Sequence, residues 1–379
     1  METEAEHDDT DVLANLRRHP DLEAPNLHAV DASDRLILDE AARALTKAAD
    51  KVVVIGDHHG ALTLGAITRH NLEGVRTHQD RLLGERALQA NAQRLRIGGF
   101  TQHGLTPELV GQARIVLLQL PRSLDALDEI AGLIAEHADP EVLVVAGGRV
   151  KHMTIGMNDV LGRHFTDVQA RLARQKSRVL VASRPRPAGQ RWPTTEQHPD
   201  LGITVCAHGG AFAGTGIDIG TRALLQHLDA MPPDIGMAVD LGCGTGVLAV
   251  LLARANEGLT VTATDESAAA VASARATVAA NGVEGRIVVV RADGAETVPD
   301  ASVDLVLLNP PFHVGAAVHD GVARTLFAEA ARVLKSGGEL WAVWNSHLRY
   351  RPTLERVIGP TRQVSRDPKF TVTVSTRRD

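Results

Sequence analysis

Apolar and polar positions follow two different periods along the second half of the chain. Apolar runs of strand length occur at 235–241, 259–265, 286–290, 303–308 and 339–344. Helix-like segments lie between or beside them at 247–255, 267–280 and 322–335. Short apolar runs that alternate with helices are typical of parallel strands buried on both faces. The pattern therefore predicts an α/β fold with a doubly wound sheet and helices on both faces.

One further strand has a different pattern. Residues 369–375 alternate between apolar and polar side chains with period two. This alternation is typical of a half-buried or edge strand. We therefore predict an antiparallel edge strand near the end of the chain.

The first half of the chain repeats this plan. Residues 51–67 parallel residues 237–253, and residues 114–121 parallel residues 304–311. In this alignment the first copy has Val54 for Asp240, His58 for Gly244, Gln119-Leu120 for Asn309-Pro310, and Asp80 near the place of Asp265. Any two α/β units look alike at this level, but the matches keep the same order at a nearly constant offset. We therefore predict two tandem Rossmann-like domains, of which the N-terminal one is degenerate.

Breaks in the pattern set the predicted domain limits. The chain begins with an acidic stretch, and residues 1–25 are predicted to form a disordered, solvated tail. Pro, Gly and Arg interrupt the pattern at 183–193, which predicts a boundary there. The predicted domains are the degenerate copy at 26–185 and the copy with intact loops at 186–379.

The composition is that of an ordinary globular protein, with 379 residues, 44% hydrophobic and 23% charged. The two cysteines, Cys206 and Cys243, are too few for a disulfide framework, which favours a reducing cytoplasm. No apolar run reaches the length of a membrane span, and the acidic start lacks the apolar region of a signal peptide. We expect a cytoplasmic monomer without membrane contact.

The charge is negative overall but unevenly distributed. A net charge of −6 argues mildly against a nucleic-acid partner, because such proteins usually carry a basic footprint. Residues 163–191, however, contain eight Lys or Arg and one acid, Asp167. This segment is either a solvated face or a local patch for phosphate, since local patches act even when the total charge is negative.

A glycine-rich turn, DLGCGTG at 240–246, follows a predicted strand and opens a predicted helix. Gly242, Gly244 and Gly246 permit a tight turn and close approach of a ligand to backbone N–H groups at a helix N-terminus. Dinucleotide-binding proteins share such a turn, so it is a weak signal by itself.

Acidic residues beside the turn make the signal sharper. Asp240 precedes the turn, where a carboxylate suits a cationic ligand. Asp265 ends the next strand, where it can bind both hydroxyls of a ribose, although it could also cap the helix near Ser267. Asp293 follows the third strand, where it either accepts from an adenine amine or is a plain turn residue. Together they favour a nucleotide-like cofactor.

A metal site is not expected. His58 and His59 are adjacent in a loop next to Asp57, without further Cys or His ligands at metal-binding spacing.

The segments VDLGCGTGVLAV, TDES, RADG and LNPPFH, in this order and spacing, resemble the class I S-adenosylmethionine-dependent methyltransferases. In particular the chain is similar to the RsmC/RlmG group of ribosomal RNA guanine-N2 methyltransferases. The segment at 212–228, which contains GIDIG, is similar to one that this group carries before its glycine-rich turn. The resemblance covers nearly the whole chain, because the group also has a decayed N-terminal methyltransferase-like domain, which residues 114–130 and 147–165 resemble.

The resemblance implies S-adenosyl-L-methionine as the cofactor. It implies that the cofactor-binding residues are Asp240, Gly242, Gly244, Gly246, Asp265, Asp293 and Asn309. It also implies that Asn309, Pro310 and Phe312 are the catalytic residues.

Physical chemistry gives the NPPF segment at 309–312 a role. The side-chain carbonyl of Asn309 and the backbone carbonyl of Pro310 can accept the two hydrogens of a planar amino group, which favours a pyramidal nitrogen with its lone pair free. Consecutive prolines hold these acceptors in place with little loss of entropy. Phe312 offers a ring on which an unstacked base can lie. A rigid turn that only ends a strand is the alternative.

The predicted function is methylation of the exocyclic N2 amine of a guanine in ribosomal RNA, with the large-subunit RNA favoured by GIDIG, DES and the C-terminal NSHLRY and KF segments. Three alternatives remain open at this point. They are a guanine-N2 methyltransferase of small-subunit RNA, a methyltransferase of protein glutamine or adenine N6, and a non-catalytic RNA-binding factor of ribosome assembly.

Overall fold

The computed structural model describes residues 10–47, 51–189, 191–310 and 316–379. The chain divides into two compact units, Met1–Trp192 and Pro193–Asp379, here called the N-unit and the C-unit. Each unit contains its own seven-stranded sheet.

The N-unit alternates strands with helices. Its strands are β1 (Val52–Ile55), β2 (Val75–His78), β3 (Phe100–Gln102), β4 (Ile115–Gln119), β5 (Leu143–Arg149), β6 (Phe165–Ala170) and β7 (Ser177–Pro185). Its helices are α1 (Thr10–Asn15), α2 (Ala32–Leu45), α3 (Ala61–His70), α4 (Leu82–Leu95), α5 (Pro107–Val110), α6 (Leu124–His137) and α7 (Ile155–His164).

The C-unit begins with a two-stranded hairpin and continues with the same alternation. Its strands are β8 (Thr194–His198), β9 (Ile203–Ala207), β10 (Met237–Leu241), β11 (Thr260–Asp265), β12 (Ile287–Arg291), β13 (Val303–Leu308), β14 (Leu334–Asn345), β15 (Thr361–Arg366) and β16 (Phe370–Thr376). Its helices are α8 (Ile219–Leu225), α9 (Val247–Ala255), α10 (Ala268–Ala280), α11 (Ala316–Val333) and α12 (Arg351–Val357). The hairpin packs on α10, where Cys206 N–H donates to Thr277 Oγ1 at 3.0 Å.

The two large sheets have the same topology. The strand order is β3-β2-β1-β4-β5-β7-β6 in the N-unit and β12-β11-β10-β13-β14-β16-β15 in the C-unit. In each sheet the first five strands pair in parallel and the last two pair antiparallel. The predicted tandem of doubly wound α/β domains is confirmed.

Strand register identifies the equivalent positions of the two units. The first and fourth parallel strands end in register, Ile55 with Leu118 in the N-unit and Leu241 with Leu308 in the C-unit. It follows from the pairing of the first strand of each unit with the second and the fourth that Val54, Gln79 and Gln119 stand where the C-unit has Asp240, Asp265 and Asn309. The predicted places of Val54 and Gln119 agree with this register, whereas Asp80 lies one residue beyond the place of Asp265.

The strand predicted at 369–375 lies inside the sheet and not at its edge. β16 pairs with β14 on one side and with β15 on the other, so that β15 is the antiparallel edge strand. Hydroxyl pairs satisfy two side chains of its polar face, with Thr371 Oγ1 2.8 Å from Ser346 Oγ and Ser375 Oγ 2.9 Å from Thr361 Oγ1. Period-two alternation here reflects a face of buried hydroxyls and not a face in water.

Apolar side chains fill both faces of each large sheet. In the C-unit, Trp341 and Trp344 of β14 are 1% and 2% exposed and belong to the cores on opposite faces. The N-unit likewise has one apolar cluster on each face of its sheet. Loops at the carboxyl ends of the parallel strands are therefore carried on rigid, buried supports.

Residues 10–25, which were expected in a solvated tail, differ from that expectation. Leu13 and Leu16 are 2% and 9% exposed and pack in the N-unit core. Asp21 is 6% exposed and lies among basic side chains, with its Oδ2 2.7 Å from Arg18 Nη2 and 3.1 Å from His59 Nε2. The acidic composition of the first residues concealed the two leucines, which lie three apart at the end of α1.

The buried carboxylate of Asp21 fastens this segment to the N-unit. Arg81, which precedes α4, adds a third basic side chain, with its Nη1 3.3 Å from Asp21 Oδ2. Burial alone would raise the pKa of Asp21, but the hydrogen bond with His59 and the charges of Arg81 and Arg18 hold that pKa well below its usual range. The segment is thus held by an ionised carboxylate at neutral pH.

Replacing Asp21 with Asn should lower the free energy of unfolding of the N-unit by about 1–3 kcal/mol near neutral pH, because the cations lose a charged acceptor. The folded pKa of Asp21 lies below the unfolded value of about 3.9. The contribution of Asp21 is therefore complete above the unfolded pKa and is lost as the pH falls toward the folded pKa. Urea unfolding of wild type and variant at neutral pH and at about pH 3 should show the difference shrinking at the lower pH.

Asp39→Asn is a matched control in the same unit. The Asp39 side chain is 50% exposed and pairs with Arg69 at 3.3 Å. An exposed pair of this kind should contribute within about 0.5 kcal/mol at any pH. Equal losses for the two variants would contradict a special role of Asp21.

Candidate functional site

The glycine-rich turn joins β10 to α9 with three left-handed residues. Gly242, Gly244 and Gly246 have φ values of 73°, 53° and 79°. Within the described ranges, no atom lies within 4 Å of a Cβ placed on Gly242 or Gly244, whereas a Cβ on Gly246 would meet Ala274 Cβ at 3.1 Å. The third glycine thus serves packing of α9 on α10, and the first two leave open space beside the backbone.

Asp240 is a buried acid with an incomplete set of partners. It is 1% exposed, and its Oδ2 accepts from Ala249 N–H of α9 at 3.0 Å. Its Oδ1 is buried and has no hydrogen-bond partner among the residues that the structure describes. Burial raises the pKa of Asp240 to about 7, and the charge of Asp265 adds to this rise. A cationic group nearby would stabilise its ionised form.

Asp265 ends β11 beside the turn. Its Oδ2 accepts from Gly244 N–H at 3.0 Å, and its Oδ1 accepts from Ser267 N–H at 2.9 Å. Ser267 itself is the N-cap of α10, since its Oγ accepts from Ala270 N–H at 3.1 Å. The carboxylate therefore holds the glycine-rich turn against the start of α10.

Asp293 lies at the same edge of the sheet, two residues beyond β12. Arg291 ends that strand in register with Asp265, and Ala292 N–H donates to Asp265 O at 3.0 Å. The backbone N–H of Asp293 donates to Glu296 Oε1 at 3.1 Å. Its position next to Asp265 is compatible with both roles considered from the sequence.

Asn309 follows β13 directly and lies level with the glycine-rich turn, because Leu308 and Leu241 are in register. Its Nδ2 donates to Asp218 Oδ2 and to Thr221 Oγ1, both at 3.1 Å. Its Oδ1 is buried, and no described residue donates to it. The amide is thus held through its nitrogen, and its oxygen is left as an acceptor.

Asp218 and Thr221 were not identified as site residues from the sequence. Asp218 is the N-cap of α8 and accepts from Gly220 N–H at 2.9 Å and Thr221 N–H at 3.3 Å. The segment GIDIG was noted as part of the resemblance, but no local pattern shows that it meets a residue 91 positions later.

Of the NPPF segment, the structure describes Asn309 and Pro310, and Pro310 is buried. Phe312, the third predicted catalytic residue, lies outside the described residues. Its role stays a prediction.

The equivalent turn of the N-unit is filled by its own carboxylate. Asp57 accepts from Gly60 N–H at 3.0 Å and Leu62 N–H at 3.2 Å through Oδ1, and from Thr63 N–H at 2.7 Å through Oδ2. The C-unit has Cys243 at this place, and burial raises the pKa of its thiol, so that it is neutral. Asp57 therefore accepts three backbone N–H groups at the start of α3, whereas the described side chains provide the start of α9 with one such bond, from Ala249 N–H to Asp240.

The place of Asn309 in the N-unit is also filled. Gln119 Nε2 donates to Asp34 Oδ1 at 2.6 Å and to Ser33 Oγ at 3.1 Å. The single hydroxyl hydrogen of Ser33 is donated to Asp31 Oδ1 at 2.7 Å, so that toward Gln119 this hydroxyl is an acceptor. These contacts agree with a copy that kept its core and lost its site.

The remaining features concern metals and membranes. Asp57 accepts hydrogen bonds from backbone amides, and His59 is hydrogen-bonded to Asp21. The described ranges contain no group of three or more His, Cys, Asp or Glu that could hold a metal ion. No helix within those ranges has both the length and the apolar character needed to cross a membrane.

Family models match both halves of the chain. The Methyltransferase small domain matches residues 202–374, and the RLMG N-terminal domain matches residues 4–186. A solved structure from T. thermophilus, the 16S rRNA N2 G1207 methyltransferase (RsmC) in complex with AdoMet and guanosine, is similar with a TM-score of 0.71. It is 20% identical, and the match covers 94% of this chain and 97% of that chain, so it shares the fold over nearly its full length.

Two curated relatives carry the same name, ribosomal RNA large subunit methyltransferase G. The protein of Streptomyces coelicolor is 36% identical over 368 residues, which cover 94% of this chain and 96% of the relative. The protein of Pseudomonas aeruginosa strain UCBPP-PA14 is 36% identical over 365 residues, with the same coverage of both chains. With identity at this level over nearly the full length of both proteins, the chain belongs to the ribosomal RNA large subunit methyltransferase G family.

Proposed function

We propose that the C-unit transfers a methyl group from S-adenosyl-L-methionine to the exocyclic N2 amine of a guanine in large-subunit ribosomal RNA. The name shared by the relatives supports a large-subunit RNA, and the T. thermophilus N2 methyltransferase, solved with AdoMet and guanosine, supports guanine N2 and this cofactor. The observation that carries the proposal is the Asn309 amide, whose oxygen is an unused acceptor at the edge of the sheet where the glycine-rich turn lies.

The residues at this edge fit the cofactor. Gly242 and Gly244 have open space beside the backbone, which a side chain at either position would fill. Asp240 is a buried carboxylate short of a partner among the described residues and suits the ammonium group of the methionine moiety. Asp265 would accept from the ribose hydroxyls, and Asp293 would lie at the adenine. When bound, the cofactor supplies an electrophilic methyl group on a sulfonium.

The Asn309 amide restricts the chemistry of the acceptor. Both hydrogens of its Nδ2 are used by Asp218 and Thr221, so that toward the substrate it can only accept a hydrogen bond. The methyl acceptor must then carry a hydrogen to donate, as an exocyclic amine does. With the Pro310 carbonyl as second acceptor, the two hydrogens of the amine are held and its lone pair is directed at the methyl group, an arrangement favoured as the nitrogen becomes pyramidal.

Other observations bear on the alternative substrates and on the non-catalytic alternative. Adenine N6 and a glutamine amide also carry two hydrogens, so the geometry of Asn309 alone does not separate them from guanine N2. The relatives named for large-subunit RNA are 36% identical, whereas the T. thermophilus 16S rRNA methyltransferase is 20% identical, which favours the large subunit. A non-catalytic assembly factor is disfavoured because the C-unit keeps polar atoms, unpaired among the described residues, that the N-unit has lost. A ribosomal RNA substrate implies action in the cytoplasm.

We also propose that the N-unit positions the RNA, but through a different surface from the basic segment at 163–191. Five arginines of that segment form ion pairs with acidic side chains, and these are Arg163, Arg171, Arg174, Arg184 and Arg191. Their charge is therefore largely neutralised within the unit.

Another group of cations stands at the carboxyl ends of β4 and β5. Arg122 and Lys151 are exposed and have no acidic partner within the described ranges, and His152 lies between them, with its Nε2 3.5 Å from Arg122 Nη2. Partial desolvation lowers the pKa of His152, and the charges of Arg122 and Lys151 lower it further. Val150 and Ile155 beside them are 41% and 81% exposed. Cations of this kind next to exposed apolar side chains suit phosphates and unpaired bases.

Asp265→Ala should weaken binding of S-adenosylmethionine by about 10- to 150-fold, because a charge-assisted hydrogen bond to the ribose contributes about 1.5–3 kcal/mol. Calorimetry on the purified full chain measures this. Asp234→Ala, which changes an exposed acid before β10, is the control and should bind as wild type. Thermal melting without ligand checks that the loss of the bonds to Gly244 and Ser267 has not unfolded the C-unit. Unchanged affinity would remove Asp265 from the site.

Asn309→Ala should lower the single-turnover rate on ribosomal RNA by about 100-fold or more at saturating cofactor, because it removes an interaction that strengthens in the transition state. Its affinity for the cofactor should stay nearly intact. Phe312→Ala should differ by weakening RNA binding as well as the rate, since a stacked base contributes about 1–3 kcal/mol. A wild-type rate for Asn309→Ala would reduce the NPPF segment to a rigid turn.

The double variant Arg122→Gln, Lys151→Gln should bind ribosomal RNA more weakly, and the slope of log K against log salt should fall by about 0.7–0.9 for each phosphate that the protein no longer neutralises. The matched control is Arg171→Gln, Arg184→Gln, which removes two exposed arginines that are paired with Glu40 and Asp167. Filter binding at several salt concentrations compares them. Equal losses in the two double variants would mean that only total charge matters.

A further inference from the structure

The start of α8 holds the amide of Asn309. Asp218 Oδ2 and Thr221 Oγ1 each accept from Nδ2 at 3.1 Å, and both belong to the first turn of the helix or its cap. The contact joins two parts of the C-unit that are far apart in sequence.

The chemistry of Asp218 determines which way the amide faces. An ionised carboxylate has no hydrogen to donate, and this oxygen already accepts from the backbone N–H groups of Gly220 and Thr221. The atom of Asn309 that faces it must therefore be the nitrogen. The opposite orientation would set two oxygens against each other.

This orientation acts on the other end of the amide. A hydrogen bond from Nδ2 to a carboxylate draws electron density toward Oδ1 and makes it a stronger acceptor. Oδ1 is buried, and the described residues provide no donor for it. An acceptor that is polarised, desolvated and unused is suited to the hydrogen of an incoming amine.

The fit around the amide is close. A Cβ on Gly220 would lie 2.9 Å from Asp218 Oδ2 and 3.1 Å from Asn309 Oδ1. The position thus admits no side chain unless the amide or the carboxylate moves.

The N-unit provides an internal comparison. Gln119 is likewise held through its nitrogen, which donates to Asp34 Oδ1 at 2.6 Å and to Ser33 Oγ at 3.1 Å. A carboxylate and a hydroxyl therefore hold the amide at the equivalent place of both units, and in the C-unit the amide oxygen is also buried without a described donor.

We propose that Asp218 and Thr221 are positioning residues for methyl transfer, which fix Asn309 as an acceptor and never as a donor toward the substrate. The proposal rests on the proposed function, because it assigns the orientation of a catalytic amide. Neither residue contacts the substrate or the cofactor in this role.

Thr221→Val tests the proposal, because it keeps the shape of the side chain and removes the acceptor. In single-turnover assays with the full chain, saturating cofactor and saturating ribosomal RNA, its rate should fall about tenfold, the equivalent of one lost hydrogen bond. The dissociation constants for S-adenosylmethionine and RNA should stay within about twofold. Thr221→Ser, which restores the hydroxyl, should recover the rate. Thr260→Val, an exposed change on β11, is the control and should match wild type.

Asp218→Ser is the second variant. Serine caps helices about as well as aspartate, but its side chain is one atom shorter and does not reach Asn309. Its rate should fall about 10- to 100-fold with cofactor affinity unchanged.

A double-mutant cycle separates positioning from general damage. In an Asn309→Ala background, Thr221→Val should cause no further loss in the residual rate, because the amide on which it acts is gone. Additive losses would overturn the proposal, as would wild-type rates for both single variants. Methylation by the wild-type protein in the same assay distinguishes these outcomes from a failure of the proposed function, in which wild type itself would be inactive on ribosomal RNA.

Discussion

The parallel pairing of β10 with β11 and β13 is the constraint on which the site depends. Leu241 is in register with Thr264 on one side and with Leu308 on the other. All three strands therefore end at one level, and the residues that follow them meet at one edge of the sheet. This register places Asp265 and Asn309 beside the glycine-rich turn, since Asp265 ends β11 and Asn309 directly follows β13. The buried apolar faces of these strands keep the register from slipping.

At that edge the C-unit retains polar atoms that the fold itself does not satisfy. Asp240 Oδ1 and Asn309 Oδ1 are both buried without a partner among the described residues. Such atoms are costly, and a chain selected only for stability would pair or replace them. The N-unit has done so at the place of Asp240, where it has the apolar Val54. At this position the two halves share one topology, with a buried carboxylate in the C-unit and an apolar side chain in the N-unit.

Closure of the N-unit extends beyond single substitutions. Asp57 supplies the start of α3 with the anion that a ligand would otherwise provide. The N-terminal segment then packs against the loops of this unit, where Asp21 binds His59 and Arg81. These contacts are strong because they are buried and charge-assisted. On the outer surface of the unit, cations such as Arg122, which have no acidic partner in the described part of the chain, lie beside exposed apolar side chains.

The sequence by itself determined the α/β class, the duplication, the places of the strands and the residues of the glycine-rich turn, because periodicity and turn chemistry are local properties of the chain. Only the tertiary structure decided which strand occupies the edge, since β16, the last strand in the chain, pairs with β14 and leaves β15 outside it. It also decided that five arginines of 163–191 are paired and that Leu13 is buried, because composition counts charges and apolar groups without their partners. The same reason hid Asp218 and its contact with Asn309: a hydrogen bond across 91 residues leaves no periodic signal in the chain, and only the folded sheet brings its two ends together.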